Sequence, residues 1–344
     1  MRSIGFRYQI KNLFVLLASF LPWASCAQAH EFKVYKDIVW ASPKNLRLTA
    51  DIYVPATGKK KYPVLVIYHG GGWLINNNSI MTSMAEYVAS HGEFVVANMN
   101  YRLLPDNKNT TTMNEIVEDA LGGVLWVKDH IAHYGGDPKR IAVTGDSAGG
   151  HLASMILLSG RNLNSDGFAG DTLGFKPSYL PKGKTAEQIA KKDGLKVQAA
   201  VISYGAFDLY NSALNNFEKP NNNFWSIAKA EARGMFGNSI NPNDNADYYE
   251  AVSPLYNVPA SSDYKLPPQF VHVGSNDNST TPAAVTKYVE KLEQAGQPVE
   301  FKIYEGKSHA FLDSGCSDYF KTCFDKVAPD ALDDIIQFLE KILK

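Results

Sequence analysis

The sequence predicts an α/β fold built on a mostly parallel, doubly wound sheet with helices on both faces. Strand-like apolar runs alternate with helix-like segments from Ile38 onward, and this alternation is typical of such sheets. The 344 residues are 45% hydrophobic and include 17 Phe, 18 Tyr and 5 Trp, which can fill one sizeable core. No internal repeat divides the sequence. We therefore expect one domain over residues 30–344.

The expected elements follow one another in a regular order. Alternating apolar and polar residues predict an early antiparallel strand over 46–54. Apolar runs predict further strands over 62–68, 93–99, 140–144, 197–204, 269–273 and 299–304. Helical spacing of apolar residues predicts helices over 81–90, 113–134, 148–158 and 331–343.

A serine lies between glycines where the strand-like run 140–144 meets the predicted helix 148–158, in the segment Gly145-Asp146-Ser147-Ala148-Gly149-Gly150. This arrangement is the nucleophile elbow, a turn so tight that it strains the serine backbone. Bulky side chains do not fit two positions away, which explains the glycines on either side. The Ser147 hydroxyl is thereby held clear of the sheet at a helix N-terminus, where negative charge is favoured.

A second glycine run, His69-Gly70-Gly71-Gly72-Trp73, follows the predicted strand 62–68. Glycine N–H groups can approach a developing oxyanion closely because no side chain stands in the way. We expect Gly70 and Gly71 to form an oxyanion hole together with Ala148, the residue after the serine. Which two of the three glycines donate is open at this point. His69 is expected to brace the loop.

With these two motifs the chain resembles the α/β-hydrolase superfamily, and within it the esterases related to hormone-sensitive lipase. Residues 100–106 are similar to that family's Tyr-Arg-Leu-x-Pro-Glu segment, and residues 136–141 lead into the elbow as they do in the family. The resemblance extends from about Ile38 to the C-terminus. It implies the α/β-hydrolase fold and hydrolysis of esters by a serine nucleophile.

The serine needs a positioned base, because a hydroxyl is a poor nucleophile at neutral pH. In this fold the order along the chain is serine, acid, histidine. His309 follows the last predicted strand by five residues, and it precedes a small residue and an aromatic, as the family's histidine commonly does. We therefore expect His309 to be the base. His272 lies within a predicted strand and is expected to be a core residue.

Asp277 is expected to be the acid, since it comes directly after the predicted strand 269–273 and matches the family's glycine-x-x-aspartate ending. Its task would be to hold the imidazole in the right tautomer and to stabilise the imidazolium. Asp313 is the competitor, but a residue four positions from His309 on one loop is poorly placed to accept its Nδ1 proton. Asp146 is expected to orient the elbow or to point into the cap region.

Two long segments interrupt the alternation of strands and helices. Residues 161–196 are rich in Gly, Lys and Asp, and residues 205–259 mix Asn and Pro with aromatic residues. Both leave from strand ends on the elbow side, where ligands bind in open α/β sheets. We interpret them as a small cap over the active site. The alternative for 161–196 is a surface insertion without substrate contact.

The predicted function is that of an exported serine carboxylesterase acting on short-chain or small acyl esters. One alternative is an acetyl or feruloyl esterase that acts on polysaccharide decorations. An alternative of another class is a catalytically silent binding protein with the hydrolase fold, although a complete set of Ser147, Asp277 and His309 argues against it.

Charge and composition limit the partners. The formal net charge is −1 without a long run of one sign, so the basic face of a nucleic-acid binder is missing. The histidines and cysteines have no zinc-ligand spacing, so we expect neither a metal nor another cofactor. The expected partner is a small-molecule ester, with no membrane span in the mature protein. The oligomeric state is not predicted.

The N-terminus predicts a secretory signal peptide over residues 1–29, with cleavage after Ala29 and export to the periplasm or the medium. Basic residues precede the short apolar run 13–21, and small residues precede the cleavage point. A lipoprotein carrying its lipid on Cys26 is the alternative. Cleavage would leave only Cys316 and Cys323, and an even pair in an exported protein predicts a disulfide.

Overall fold

The computed structural model describes residues 29–169 and 172–344, so the predicted leader lies almost wholly outside the described residues. Eight strands form the central sheet: β1 (Phe32–Ala41), β2 (Leu48–Pro55), β3 (Tyr62–Tyr68), β4 (Val95–Met99), β5 (Gly136–Asp146), β6 (Ala199–Ser203), β7 (Gln269–Gly274) and β8 (Val299–Tyr304). Their order across the sheet is β1-β2-β4-β3-β5-β6-β7-β8. The pairs β1–β2 and β2–β4 are antiparallel, and all the others are parallel.

The helices connect these strands and cover the sheet. They are α1 (Thr82–His91), α2 (Asp106–Asn109), α3 (Met113–His130), α4 (Ala148–Ser159), α5 (Ala186–Lys191), α6 (Leu209–Leu214), α7 (Asn223–Ile227), α8 (Ala246–Ala251), α9 (Pro282–Gln294), α10 (Phe324–Val327) and α11 (Pro329–Leu343). The connection through α1 runs from β3 outward to β4, whereas α3 leads back to β5. Because parallel crossovers are right-handed, this reversal puts α1 and α3 on opposite faces.

The predicted α/β fold class is confirmed, and most predicted elements lie within a few residues of the observed ones. The strands over Tyr62–Tyr68 and Val299–Tyr304 agree to the residue. The pattern over 113–134 becomes an α-helix that ends at His130 and a 3₁₀ turn, Ile131–Tyr134.

Two of the elements with ten or more residues were not predicted, β1 and α9. The alternation in β1 is broken by a register shift between Tyr35 and Ile38, where Asp37 has a φ of +54°. A bulge of this kind turns the following side chains to the other face of the sheet. The alternation of apolar and polar residues that would predict a strand is therefore lost in the sequence of β1. Helix α9 does carry start signals, since Thr281 caps it and Pro282 begins it.

The sheet is the centre of the core and fixes the position of the site. Every residue of β3, β4 and β6 is buried, as expected for strands that are covered on both faces. The sheet reverses its strand order between β3 and β5, and both strands end next to the predicted glycine motifs. Open α/β sheets bind ligands at such a reversal. Within residues 29–169 and 172–344, no helix has the length and apolar character needed to cross a membrane.

Candidate active site

Ser147 lies in a strained turn between β5 and α4. Its φ of +52° and ψ of −115° are unfavourable for any residue with a side chain. A Cβ atom on Gly149 would overlap the Tyr68 carbonyl oxygen at the end of β3, so only glycine lets α4 begin this close to the sheet. The elbow geometry predicted from the sequence is therefore present.

His309 and Asp277 meet Ser147 in one hydrogen-bonded line. The Ser147 Oγ lies 3.0 Å from His309 Nε2, and His309 Nδ1 lies 2.7 Å from Asp277 Oδ2. Because a carboxylate only accepts hydrogen bonds, Nδ1 carries the proton and Nε2 is free to accept the serine proton. The structure thus brings together three side chains from the ends of three different strands, and this arrangement can generate an alkoxide nucleophile.

Asp277 is held in place by the backbone that follows it. Its Oδ1 accepts hydrogen bonds from the N–H groups of Ser279 at 2.8 Å and Thr280 at 2.9 Å. The Thr280 hydroxyl donates to the Tyr204 carbonyl at 2.7 Å and lies 3.2 Å from Asp277 Oδ2. The carboxylate therefore keeps one oxygen for His309 while the other is fully occupied. Sequence reasoning missed Thr280, although Asp side chains commonly accept a hydrogen bond from the backbone two residues on, as Asp277 does from Ser279, and such a turn brings the next residue beside the carboxylate.

The glycine run forms one wall of the site. Gly71 has a φ of +115°, and a Cβ atom there would collide with the Ile75 carbonyl oxygen. Among the residues that the structure describes, the backbone N–H groups of Gly71 and Ala148 donate to no protein acceptor. Both residues line the cavity above Ser147. Two free N–H groups next to a nucleophile can stabilise an oxyanion.

Gly70 differs from Gly71, because its backbone hydrogen bond goes to the buried Asp146 carboxyl. A Cβ atom at Gly70 would overlap this carboxyl, so the contact requires glycine. Asp146 thus fixes the start of the glycine run. Of the two glycines expected to donate, Gly71 is the one that faces the cavity.

Asp313 pairs with Asp146 and not with His309. The two buried carboxyl groups interact with each other, and each has one oxygen atom without a hydrogen-bond partner among the described residues. Burial raises the pKa of Asp146 to about 6. Burial and the neighbouring Asp146 charge raise the pKa of Asp313 well above its usual range. Two carboxyls this close cannot both ionise readily, so they hold one proton between them.

Two buried histidines brace the walls and remain neutral. His69 stacks on Tyr101 with 4.3 Å between ring centroids, and burial lowers the pKa of its imidazole to about 4. His151 accepts a hydrogen bond from Trp73 Nε1 at 3.1 Å and donates to the Val252 carbonyl at 2.7 Å. Burial also lowers the pKa of His151 to about 4.

His272, the histidine expected in the core, is fully buried in β7. It lies 2.9 Å from the Ser203 hydroxyl, and burial lowers the pKa of its ring to about 3. The one histidine within hydrogen-bond distance of Ser147 among the described residues is His309.

A cavity of about 190 Å³ opens above Ser147. Aromatic side chains that the sequence did not single out as site residues form much of its wall: Trp73, Phe217, Phe224 and Phe320. Phe217 and Phe224 come from the segment 205–259. The described residues of the segment 161–196 do not line the cavity; Ser178 in this segment instead donates its N–H to the Glu118 carbonyl of α3 at 3.1 Å.

Cys316 and Cys323 form a disulfide with 3.9 Å between their Cα atoms. It closes a small hairpin made of β9 (Cys316–Ser317) and β10 (Thr322–Cys323). The Phe320 ring at the tip of this hairpin lies 5.1 Å from the His309 ring. The described residues contain no group of three or more His, Cys, Asp or Glu side chains that could hold a metal ion.

Comparison with known proteins gives two family matches. The BD-FAE family model matches residues 50–292, and the dienelactone hydrolase family model matches residues 243–343. The first match covers well over half of the chain and includes the glycine run, the elbow and Asp277.

Individual relatives carry names of ester hydrolases. The chain is 26% identical over 281 residues to a probable isoprenylcysteine alpha-carbonyl methylesterase of Arabidopsis thaliana, covering 81% of this chain and 51% of the relative. It is 30% identical over 253 residues to LipM, a probable carboxylic ester hydrolase of Mycobacterium tuberculosis, covering 72% of this chain and 49% of the relative. The chain therefore spans about half the length of these curated relatives.

Solved structures agree on the fold. The apo form of Thermogutta terrifontis esterase 2 superposes with a TM-score of 0.62 at 22% identity, over 93% of this chain and 97% of that chain. The Ser147 elbow, the glycine wall and the family match point in the same direction. The chain belongs to the BD-FAE family, within the α/β-hydrolase esterases of the hormone-sensitive lipase type.

Proposed function

We propose that this protein hydrolyses small carboxylic esters through an acyl-enzyme on Ser147. The observation that carries the proposal is the hydrogen-bonded line from Ser147 through His309 to Asp277. His309 takes the serine proton as Ser147 attacks the ester carbonyl, and returns it to the leaving alkoxide. Water then repeats the attack with His309 again as base, which releases the acid and restores the serine.

Gly71 and Ala148 would stabilise the tetrahedral intermediates. Their N–H groups donate to no acceptor in the described part of the chain and belong to residues that line the cavity with Ser147, so they need no reorganisation as charge develops on the carbonyl oxygen. Gly70 would act indirectly, since its contact with Asp146 positions the loop. Asp277 would keep the imidazole in the tautomer that accepts from serine.

The acyl group must be small. A cavity of about 190 Å³ is below the usual range of drug-sized ligand pockets, and its walls are largely apolar. This supports short-chain or small acyl esters as substrates. The segment 205–259, which supplies Phe217 and Phe224, would act as the cap over this space, whereas the described part of 161–196 packs on α3.

An esterase for polysaccharide decorations is the second candidate. Of the two decorations, the acetyl group is the one that meets the size limit of the cavity. Both candidates use the same chemistry at Ser147 and differ only in the ester that reaches it.

Export is part of the proposal. The basic and apolar pattern of residues 1–29 supports a signal peptide, and the pairing of Cys316 with Cys323 fits an oxidising compartment. Mass spectrometry of the protein recovered from the periplasm or medium should find His30 at the N-terminus. An intact leader on all of the protein would contradict export.

The function is tested with p-nitrophenyl esters whose acyl chains increase from two to eight carbons. We expect the highest kcat/KM at two to four carbons and a steep fall at longer chains. Ser147→Ala should lower kcat by about six orders of magnitude, because the triad acts as a unit. Ser212→Ala is the matched control, since it lines the same cavity without contacting His309. A wild-type protein that hydrolyses none of these esters would favour the silent binding protein.

A further inference from the structure

The hairpin closed by Cys316 and Cys323 is built to hold its tip rigidly. Two residues of each strand pair, and the disulfide joins the strands at the open end. The Phe320 N–H donates to the Ser317 hydroxyl at 3.2 Å, which tightens the tip. The Phe324 N–H donates to the Gly315 carbonyl at 2.8 Å, and the buried Phe324 side chain anchors the hairpin to the core.

The tip presents two aromatic rings at the mouth of the active site. Phe320 lines the cavity and lies 5.1 Å from the His309 ring. Tyr319 packs edge-on against Phe320, with 4.8 Å between centroids and 87° between planes. Tyr319 is 77% exposed, so its ring adds little to the core. A rigid aromatic pair that is open to solvent and touches the proposed base can contact a substrate.

The chemistry of ester hydrolysis determines which part of the substrate would contact Tyr319 and Phe320. The carbonyl carbon of an ester carries three substituents, which point in different directions. The carbonyl oxygen must face the Gly71 and Ala148 N–H groups. The leaving oxygen must lie within hydrogen-bond reach of His309 Nε2, which protonates it. The acyl chain takes the remaining wall, where the Phe224 ring lies 3.7 Å from the place of a Cβ atom on Gly72.

We infer that the 316–323 hairpin is the leaving-group subsite, and that it selects esters whose alcohol carries a flat ring next to the ester oxygen. Phe320 lines the subsite beside His309, and the exposed face of Tyr319 packs on the ring of the alcohol. The inference rests on the proposed function, since it assigns an orientation to the ester that Ser147 attacks. Tyr319 and Phe320 are specificity-determining residues in this account.

The acyl-enzyme mechanism gives this subsite a kinetic signature. The alcohol is present only until the bond from the carbonyl carbon to the leaving oxygen breaks and His309 has protonated that oxygen. Hydrolysis of the acetyl-enzyme no longer involves the alcohol. Removal of the Tyr319 ring should therefore alter kcat/KM for one alcohol against another at constant acyl group. The rate at which the acetyl-enzyme is hydrolysed should stay the same.

The test compares phenyl acetate with ethyl acetate, which share the acyl group. Tyr319→Ala should lower kcat/KM for phenyl acetate by about two- to tenfold, the effect of losing one aromatic contact, and leave ethyl acetate unchanged. Tyr319→Phe keeps the ring and should restore the wild-type ratio. Phe224→Ala is the control on the opposite wall, and should change the two acetates equally. Tyr319 is the decisive position because its side chain is exposed and its removal does not threaten folding.

The outcomes separate the inference from the function on which it rests. A Tyr319→Ala variant with an unchanged ratio of the two kcat/KM values would overturn the subsite while leaving the esterase intact. Suppose instead that Tyr319→Ala changes the ratio of the kcat/KM values for phenyl acetate and phenyl butyrate, which differ only in the acyl chain. That result would place the hairpin on the acyl wall and would also overturn the subsite. A wild-type protein that hydrolyses no ester and whose Ser147 resists a fluorophosphonate would overturn both.

Discussion

The floor and the upper wall of the active site are built by different means. On the floor, Ser147, His309 and Asp277 sit at strand ends, and backbone constraints such as the strained φ of Ser147 fix their positions. The upper wall comes from the segment 205–259 and the hairpin 316–323, which place Phe217, Phe224 and Phe320 against the cavity. In the proposed function, the chemistry therefore depends on positions that the backbone fixes, whereas the choice of substrate depends on a few aromatic side chains.

The largest effect expected on the floor, after loss of Ser147 itself, comes from Asp277→Asn. An amide can donate to Nδ1, which favours the wrong imidazole tautomer, so kcat should fall by about 10⁴ while the fold is kept. Steady-state kinetics with p-nitrophenyl acetate and a thermal melt measure both.

Asp313→Asn is the matched control for this substitution. It changes a second buried carboxyl near the site, but one that pairs with Asp146 and does not face His309. Loss of one hydrogen bond should change kcat by less than about tenfold. The reverse pattern, a large loss with Asp313→Asn and almost none with Asp277→Asn, would show that the acid is misassigned.

The glycine wall is the next most sensitive part of the floor. In Gly71→Val the new side chain would collide with the Ile75 carbonyl, and the loop must move its free N–H group away from the substrate. Loss of an oxyanion donor should lower kcat by about 10² to 10³. Gly58→Val is the control, because Gly58 also has a positive φ but has open space around it. Normal kcat in a well-folded Gly71→Val protein would contradict the oxyanion assignment.

The carboxyl pair beside the floor should make stability depend on pH. Its folded-state pKa values are raised, so the folded protein keeps a proton that the unfolded chain has released. This contribution is fully present below about pH 4, the unfolded value, and is lost as the pH rises through about 6.

Urea unfolding at several pH values between 4 and 8 measures this loss, with Asp313→Asn as reference. The free energy of unfolding of the wild type should fall more steeply over this range than that of Asp313→Asn, because the variant lacks one of the two buried carboxyls whose pKa is raised. A difference that stays constant with pH would mean that the pair does not share a proton.

The smallest effect is expected in the upper wall, from reduction of the Cys316–Cys323 disulfide. So short a loop contributes only about 2–3 kcal/mol to the free energy of unfolding. Since Phe320 touches His309, activity should drop before the protein unfolds globally. Thiol titration of the native protein should find no free thiol, and two titratable thiols before reduction would refute the pairing.

Much of the floor could be predicted from the sequence, because short motifs encode it. A Ser between Gly145 and Gly149 allows one backbone path, and strand runs that precede Ser147 and Asp277 place both residues at the same edge of a parallel sheet. The fold class followed from the alternation of strand-like and helix-like segments along the chain. The roles of individual site residues remain predictions until they are tested by substitution.

The sequence predicts a cap over the site from residues 205–259, but it does not show which side chains of the upper wall reach the cavity. Phe217, Phe224 and Phe320 resemble any other aromatic residues in the sequence, and only the tertiary arrangement brings them to one cavity. The pairing of Asp146 with Asp313 is equally invisible, because 167 residues separate them (313 − 146). Contacts between distant segments are set by packing, which local patterns do not encode.

The central claim is that Ser147 is a nucleophile activated by His309, and mapping a fluorophosphonate adduct tests it most directly. Intact-mass and peptide analysis of the wild type should find one label per chain, on Ser147. His309→Ala should remove the labelling while the protein remains folded, since the serine then lacks its base. A label on another residue, or an unlabelled Ser147 in a protein that hydrolyses esters, would contradict the account.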